Sequence, residues 1–131
     1  KISEKLQSVL DALPEQVAVL DKTGHIVMVK QAWERFAHAN GGAPSNPSIG
    51  SNYLTVCHEA KKDNDAKKAY FGIKSVLEGT LTHFNMEYPC DSPEEKRWFA
   101  MEVVAVNHRD FAAVVSHFNI TGWKIKQENV T

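Results

Sequence analysis

Apolar residues recur along this chain with two periods, and the switches between them lay out the elements. The opening KISEKLQSVLDAL places Ile2, Leu6, Val9 and Leu13 at spacings of four, three and four, an a/d-like stripe with charges elsewhere. Pro14 ends that helix, because the residue before a proline is pushed out of the α region. A helix this short is marginal alone, so the stripe is expected to lie on its own domain or on a second copy of the chain. In QVAVLDKTGHIVMVK two apolar runs flank Asp21-Lys22-Thr23-Gly24, with glycine where a positive φ is cheap, and the segment reads as a β-hairpin. Gln31 to Ala39 returns to helical spacing, with Trp33, Phe36 and Ala37 on one face, and NGGAPSNPSIGS is loop by composition.

Tyr53, Leu54 and Cys57 suit a short helix. Asn64 or Asp65 can cap a longer one that runs to Glu78 and stops at Gly79. Its inner stripe is expected to be Ala66, Ala69, Tyr70, Ile73, Val76 and Leu77. The last third changes to period two. In HFNMEYPC, Phe84, Met86, Tyr88 and Cys90 alternate with polar positions, which predicts a strand with one apolar face. DSPEEK is a polar connection. RWFAMEVVAV and FAAVVSHFNI are two more strands, joined by a turn near Asn107 to Asp110. The predicted order, α-ββ-ααα-βββ-α, implies an α+β fold: a five-stranded antiparallel sheet with helices on one face and an N-terminal flanking helix.

Bulk properties narrow the function classes. At 131 residues the chain is one domain and can bury roughly two thirds of its unfolded surface. Its 43% apolar and 24% charged residues are ordinary for a globular protein. A net charge of −1 offers no field to draw in nucleic acid or an anionic membrane. No run nears the roughly 20 apolar residues that span a bilayer, and no signal-peptide pattern opens the chain. Because it begins with Lys1, the chain is expected to be a piece of something longer. Cys57 and Cys90 lack metal-type spacing; two reduced, half-buried thiols in a cytosolic protein are expected, with a single disulfide left open.

Three strings in this order resemble the PAS sensor family. VLDKTGHIVMVKQAWERF is similar to the family's opening hairpin and following helix. EYPCDSPEEKRWFAMEVVAV is similar to the strand pair that carries its arginine-tryptophan-aromatic signature, and FNITGWK to its closing Asp-Ile-Thr signature. The resemblance implies a flanking or dimerisation helix over 1–14, a PAS domain over 15–121 and the start of an output helix over 122–131. Three positions depart from the pattern. Asn119 replaces the usual aspartate, Lys30 stands where asparagine is common, and Gly122 follows Thr121 where a helix former is typical. An Asn amide can still hydrogen-bond as Asp does, and Thr121 is expected to cap the exit helix. Gly122 weakens that helix by about 1 kcal/mol relative to alanine.

Strand alternation groups Ala113, Val115, His117 and Asn119 on one face, and apolar content does not decide whether that face is inner. The resemblance does: the position two before the signature aspartate looks into the family's cavity, and here it is His117. It would meet a ligand or titrate near neutrality, or serve as a core histidine satisfied by a carbonyl or water. The same logic makes Val115, Phe84, Met86, Tyr88, Phe99, Met101, Ile73, Cys57 and Leu54 candidate cavity residues, and leaves Trp98, Ala100 and Glu102 pointing outward. Asn119, Ile120 and Thr121 are the expected output junction.

A covalent flavin photoadduct is not expected, since Asn52 is followed by Tyr53 and Cys57 lies a turn further on. The long helix lacks an axial histidine, although His58 and His83 flank it, so haem and non-covalent flavin stay open as cofactors. The six histidines lack paired zinc spacing, and no metal site is expected. Nor does any nucleophile elbow, P-loop or zinc-protease motif occur. The resemblance thus implies a non-enzymatic cytoplasmic sensor module of a bacterial two-component histidine kinase or a diguanylate cyclase. It would be a homodimer paired through the first helix and Trp98, with a small ligand in its core and an effector domain in cis. The alternatives are a ligand-free dimerisation or spacer module and a small cone-fold enzyme with His117 or Glu102 as base. The early hairpin argues against the enzyme, because that fold normally starts with several helices.

Overall fold

A computed structural model describes residue 4 and residues 16–30, 49–59, 63–89, 94 and 96–130, the last three of these by backbone only. The expected helices over 1–14 and 31–39, and Cys90, lie outside the described residues. Strands β1 (Gln16–Leu20) and β2 (Ile26–Val29) form the opening hairpin. Its turn follows from its residues: Gly24 takes a φ of 94°, and the Asp21 carboxylate accepts from the Thr23 and His25 N–H groups at 3.0 Å each. Helices α1 (Tyr53–Glu59) and α2 (Asn64–Leu77) follow. Then come β3 (His83–Pro89), β4 (Trp98–Ala105), β5 (Ala113–Asn119) and α3 (Thr121–Val130).

The five strands form one antiparallel sheet in the order β2-β1-β5-β4-β3. The chain's first and last strands thus lie side by side, with Ala18 opposite Val115 and Gln16 opposite His117. Phe99, Met101 and Val103 of β4 are buried, as expected from the alternation, and so are Ala113 and Val115 of β5, the face that the PAS resemblance implies is inner. Leu20, Met86, Met101, Val103 and Val115 of the sheet meet Tyr53, Cys57, Ala69, Ile73 and Val76 of α1 and α2 in one core. Each large apolar side chain buried there contributes about 1.5–3 kcal/mol. β1 is also buried on its other face, where Val17 and Val19 join Met28, Phe111 and Val114. Among the described residues no helix is long and apolar enough to cross a membrane.

Three local expectations need correction. The cap of α2 is Asp63, not Asn64 or Asp65: its carboxylate accepts from Asp65 N–H at 2.8 Å and Ala66 N–H at 3.3 Å. Gly72 belongs to the buried stripe of α2, because the Phe84 ring lies where its side chain would be. Thr121 does not cap α3. Its hydroxyl oxygen accepts from Trp98 N–H on β4 at 2.9 Å, while the Thr121 N–H donates to the Asn119 side-chain oxygen at 3.0 Å. The hydroxyl is turned to the sheet because the Ile120 N–H already bonds the Trp98 carbonyl at 2.8 Å, which draws the start of α3 against β4.

Candidate functional site

A pocket of about 130 Å³ opens between the sheet and the two helices. Tyr53, Val56 and Cys57 of α1 form one wall; Ala66 and Ala69 of α2 form another. The sheet supplies Met86, Tyr88, Met101 and His117, and Asp63 and Asp65 stand on the solvent side. The start of α1 is pinned to the hairpin turn. Tyr53 N–H donates to the Gly24 carbonyl at 2.9 Å, and the Asn52 side chain bonds the Thr23 carbonyl at 3.0 Å and the Thr55 N–H at 3.1 Å. That anchoring aims Tyr53 inward over the sheet.

His117 joins the two tyrosines. Its Nε2 lies 2.8 Å from the Tyr53 hydroxyl and its Nδ1 2.5 Å from the Tyr88 hydroxyl. The Tyr53 ring is nearly parallel to the imidazole, at an interplanar angle of 6°, whereas Tyr88 meets it edge-on at 88°. Burial pushes the imidazole down to about 4, so His117 is neutral at pH 7. A neutral imidazole has one donor and one acceptor nitrogen. One tyrosine therefore donates its O–H to the ring, and the other accepts the ring N–H. Burial also holds the Tyr53 phenol well above its ordinary value, with Tyr88 and then Cys57 adding to the effect. The polar interior of the pocket is an uncharged Tyr–His–Tyr chain.

No known family profile matches the chain. It is 46% identical over 127 residues to an uncharacterized 104.1 kDa protein encoded in the hypE 3′ region of Rhodobacter capsulatus, covering 94% of this chain and 13% of that protein's length. The PAS domain of Bordetella pertussis BvgS superposes with a TM-score of 0.64 at 11% identity, over 98% of this chain and 96% of that one. The PAS domain of the Cronobacter turicensis RpfR quorum-sensing receptor, solved in complex with BDSF, gives 0.52 at 16% identity, over 83% and 96%. The chain folds as a PAS domain.

Within this PAS fold, five expected cavity residues line the pocket together: His117, Tyr88, Met86, Met101 and Cys57. The other five do not. Val115 and Ile73 are fully buried core residues, and Phe99 stacks behind Tyr88 with ring centroids 6.0 Å apart. Leu54 packs against Gly24 of the hairpin turn, and Phe84 lies on Gly72 of α2. The residues that sequence reasoning missed are Tyr53, Val56, Asp63, Asp65, Ala66 and Ala69. Tyr53 and Cys57 are one helical turn apart, so stepping back four residues from Cys57 would have found Tyr53 rather than Leu54.

Neither His58 nor His83, the two histidines that left haem open, lines the pocket, and both are exposed. The volume is also below the roughly 300–1,000 Å³ typical of drug-sized and cofactor sites. Among the described residues no group of three or more His, Cys, Asp or Glu could hold a metal ion. Cys57 carries a free thiol that burial, with the Asp63 carboxylate second, pushes up to about 12. Its thiolate fraction near neutral pH is then about a thousandfold lower than that of an ordinary cysteine. Iodoacetamide treatment of the folded chain, read by peptide mass spectrometry, should leave Cys57 unmodified until urea is added; rapid native labelling would show an open thiol.

At the far end of β5 the chain passes through Asn119 and Ile120 into α3. Beyond the hydrogen bonds that tie Asn119, Ile120 and Thr121 to each other and to Trp98, Lys124 of α3 reaches Glu87 of β3 at 2.6 Å. Its ammonium also lies 4.7 Å from the centroid of the Trp98 ring. α3 is thus latched to the edge strand β3 and to its neighbour β4, and Lys124 lies over Trp98, one of the expected dimer contacts.

Proposed function

We propose that the chain is a small-molecule sensor module of a longer bacterial signalling protein, of histidine kinase or diguanylate cyclase type, with its effector joined beyond α3. The observation that carries this reading is the position of His117. It bonds both pocket tyrosines and stands two residues before Asn119, which holds the first N–H of α3. A ligand that moves either tyrosine pulls on β5, and β5 is continuous with the exit helix. That the RpfR PAS domain was solved with BDSF supports a pocket of this fold as a ligand site. The proposal places the module in the cytosol, where a thiol such as Cys57 stays reduced. Half-exposed Trp123 and Ile125 on α3 favour pairing of two copies through that helix.

Hydrogen–deuterium exchange tests the reading. The chain, incubated with fractionated small-molecule extract from its host, should show slower exchange in α1 and β5 and altered exchange in α3. Thr121→Val removes the acceptor of the Trp98 N–H. It should keep the pocket protection and lose the α3 response. Protection of the pocket with an unchanged α3 in the unsubstituted chain would leave binding without output, and no protection with any fraction would remove the sensor.

A further inference from the structure

The chemistry of the pocket restricts what it can hold. Its volume of about 130 Å³ is close to that of a cavity which accommodates one benzene ring, roughly 150 Å³. Thioether and aromatic surfaces dominate its interior, with Met86 and Met101 buried beneath the opening. Among the described residues that line it there is no Lys or Arg. His117 does not supply a cation either, since burial keeps it neutral at pH 7. Among the described lining residues the charged groups are Asp63 and Asp65, both acidic. The first N–H groups of α2, which could have received an anion, are taken by the chain's own Asp63 carboxylate.

A ligand carboxylate would therefore leave water for a site whose described lining holds two carboxylates and no Lys or Arg, a poorly compensated transfer. A hydroxyl or carbonyl has no such penalty. It can join the Tyr53–His117–Tyr88 chain, because a phenol oxygen both donates and accepts. We propose that the pocket takes an uncharged, largely apolar molecule of single-ring size with one hydroxyl or carbonyl group, and rejects the carboxylate of the same shape. This rests on the reading of the pocket as a ligand site.

The methionines give the test its own control. Met86 and Met101 line the pocket, whereas Met28 packs with Val17 and Val19 on the opposite face of the sheet. The chain labelled with ¹³C-methyl methionine is titrated with benzyl alcohol, benzoate and benzylamine at pH 7. Benzyl alcohol should shift the Met86 and Met101 methyl signals and leave Met28 in place. Its affinity should exceed that of benzoate by at least about 10-fold. The double variant Asp63→Asn, Asp65→Asn keeps a residue able to cap α2. It should narrow that gap by roughly 5-fold. Benzoate binding as tightly as the alcohol, benzylamine binding more tightly, or a gap unchanged in the double variant would overturn the charge selection while the sensor reading stands. Silence of Met86 and Met101 to all three would overturn both.

Discussion

Between pH 7 and pH 4 the chain is expected to lose about 3 kcal/mol of folding stability through His117 alone. The unfolded chain protonates this histidine near its ordinary value of 6.5, the folded chain only near 4, because burial opposes the charged ring. Over that interval the unfolded state binds more protons, so stability rises with pH. The contribution of His117 is intact above about pH 6.5, falls by about 1.4 kcal/mol per pH unit below it, and levels off once the folded ring also titrates. Other groups titrate in the same range, so the informative quantity is a difference between two proteins. His117→Gln retains a donor and an acceptor for the two tyrosines but has no proton to gain. Urea denaturation at pH 7 and pH 4 should show the parent losing about 2–3 kcal/mol more than the variant. Equal losses would mean that the imidazole is wet and titrates normally, and the uncharged interior of the pocket would go with it.

Gly72→Ala should destabilise the fold by about 1–3 kcal/mol, although alanine is by about 1 kcal/mol the better helix former. The added methyl meets the Phe84 ring, whose atoms near the backbone and not only its tip lie in the way. Rotation of one bond cannot relieve this, so α2 must move off β3. Ala69, one turn before Gly72, lines the pocket, and the shift should loosen ligand binding as well. Phe84→Leu should cost about 1–2 kcal/mol in the parent and much less, or nothing, beside Gly72→Ala. A double-mutant cycle by urea denaturation measures that coupling. Additive losses would show that ring and helix do not touch there.

The faces of the strands were legible because burial imposes a period of two. Phe84, Met86 and Tyr88, then Phe99, Met101 and Val103, point to the helices as their alternation requires. The pocket within that face was not, because alternation says which side chains point inward and not which of them meet a neighbour. Val115 and His117 share the inner face of β5, yet the first is packed and the second meets two hydroxyls. Apolar character alone does not separate Leu54 from Tyr53 as the pocket residue of α1, because the chain turn at Gly24 that takes up Leu54 is remote in sequence. At the start of α2 three consecutive residues, Asp63, Asn64 and Asp65, can each cap a helix, and only the path of the incoming chain selects the first.

By itself the sequence determined which residues of each strand share a face, the hairpin turn at Asp21 to Gly24, the two helices over the sheet and the order of the elements it shares with the PAS fold. All of these rest on neighbours a few residues apart. The tertiary structure alone decided which partners the cavity-facing histidine would meet, 29 and 64 residues away in the chain. It did so by placing β5 between β1 and β4, so that one strand end faces residues from β3 and α1 at once. Contacts between segments so distant depend on how the whole sheet closes, and no local window of sequence carries that information.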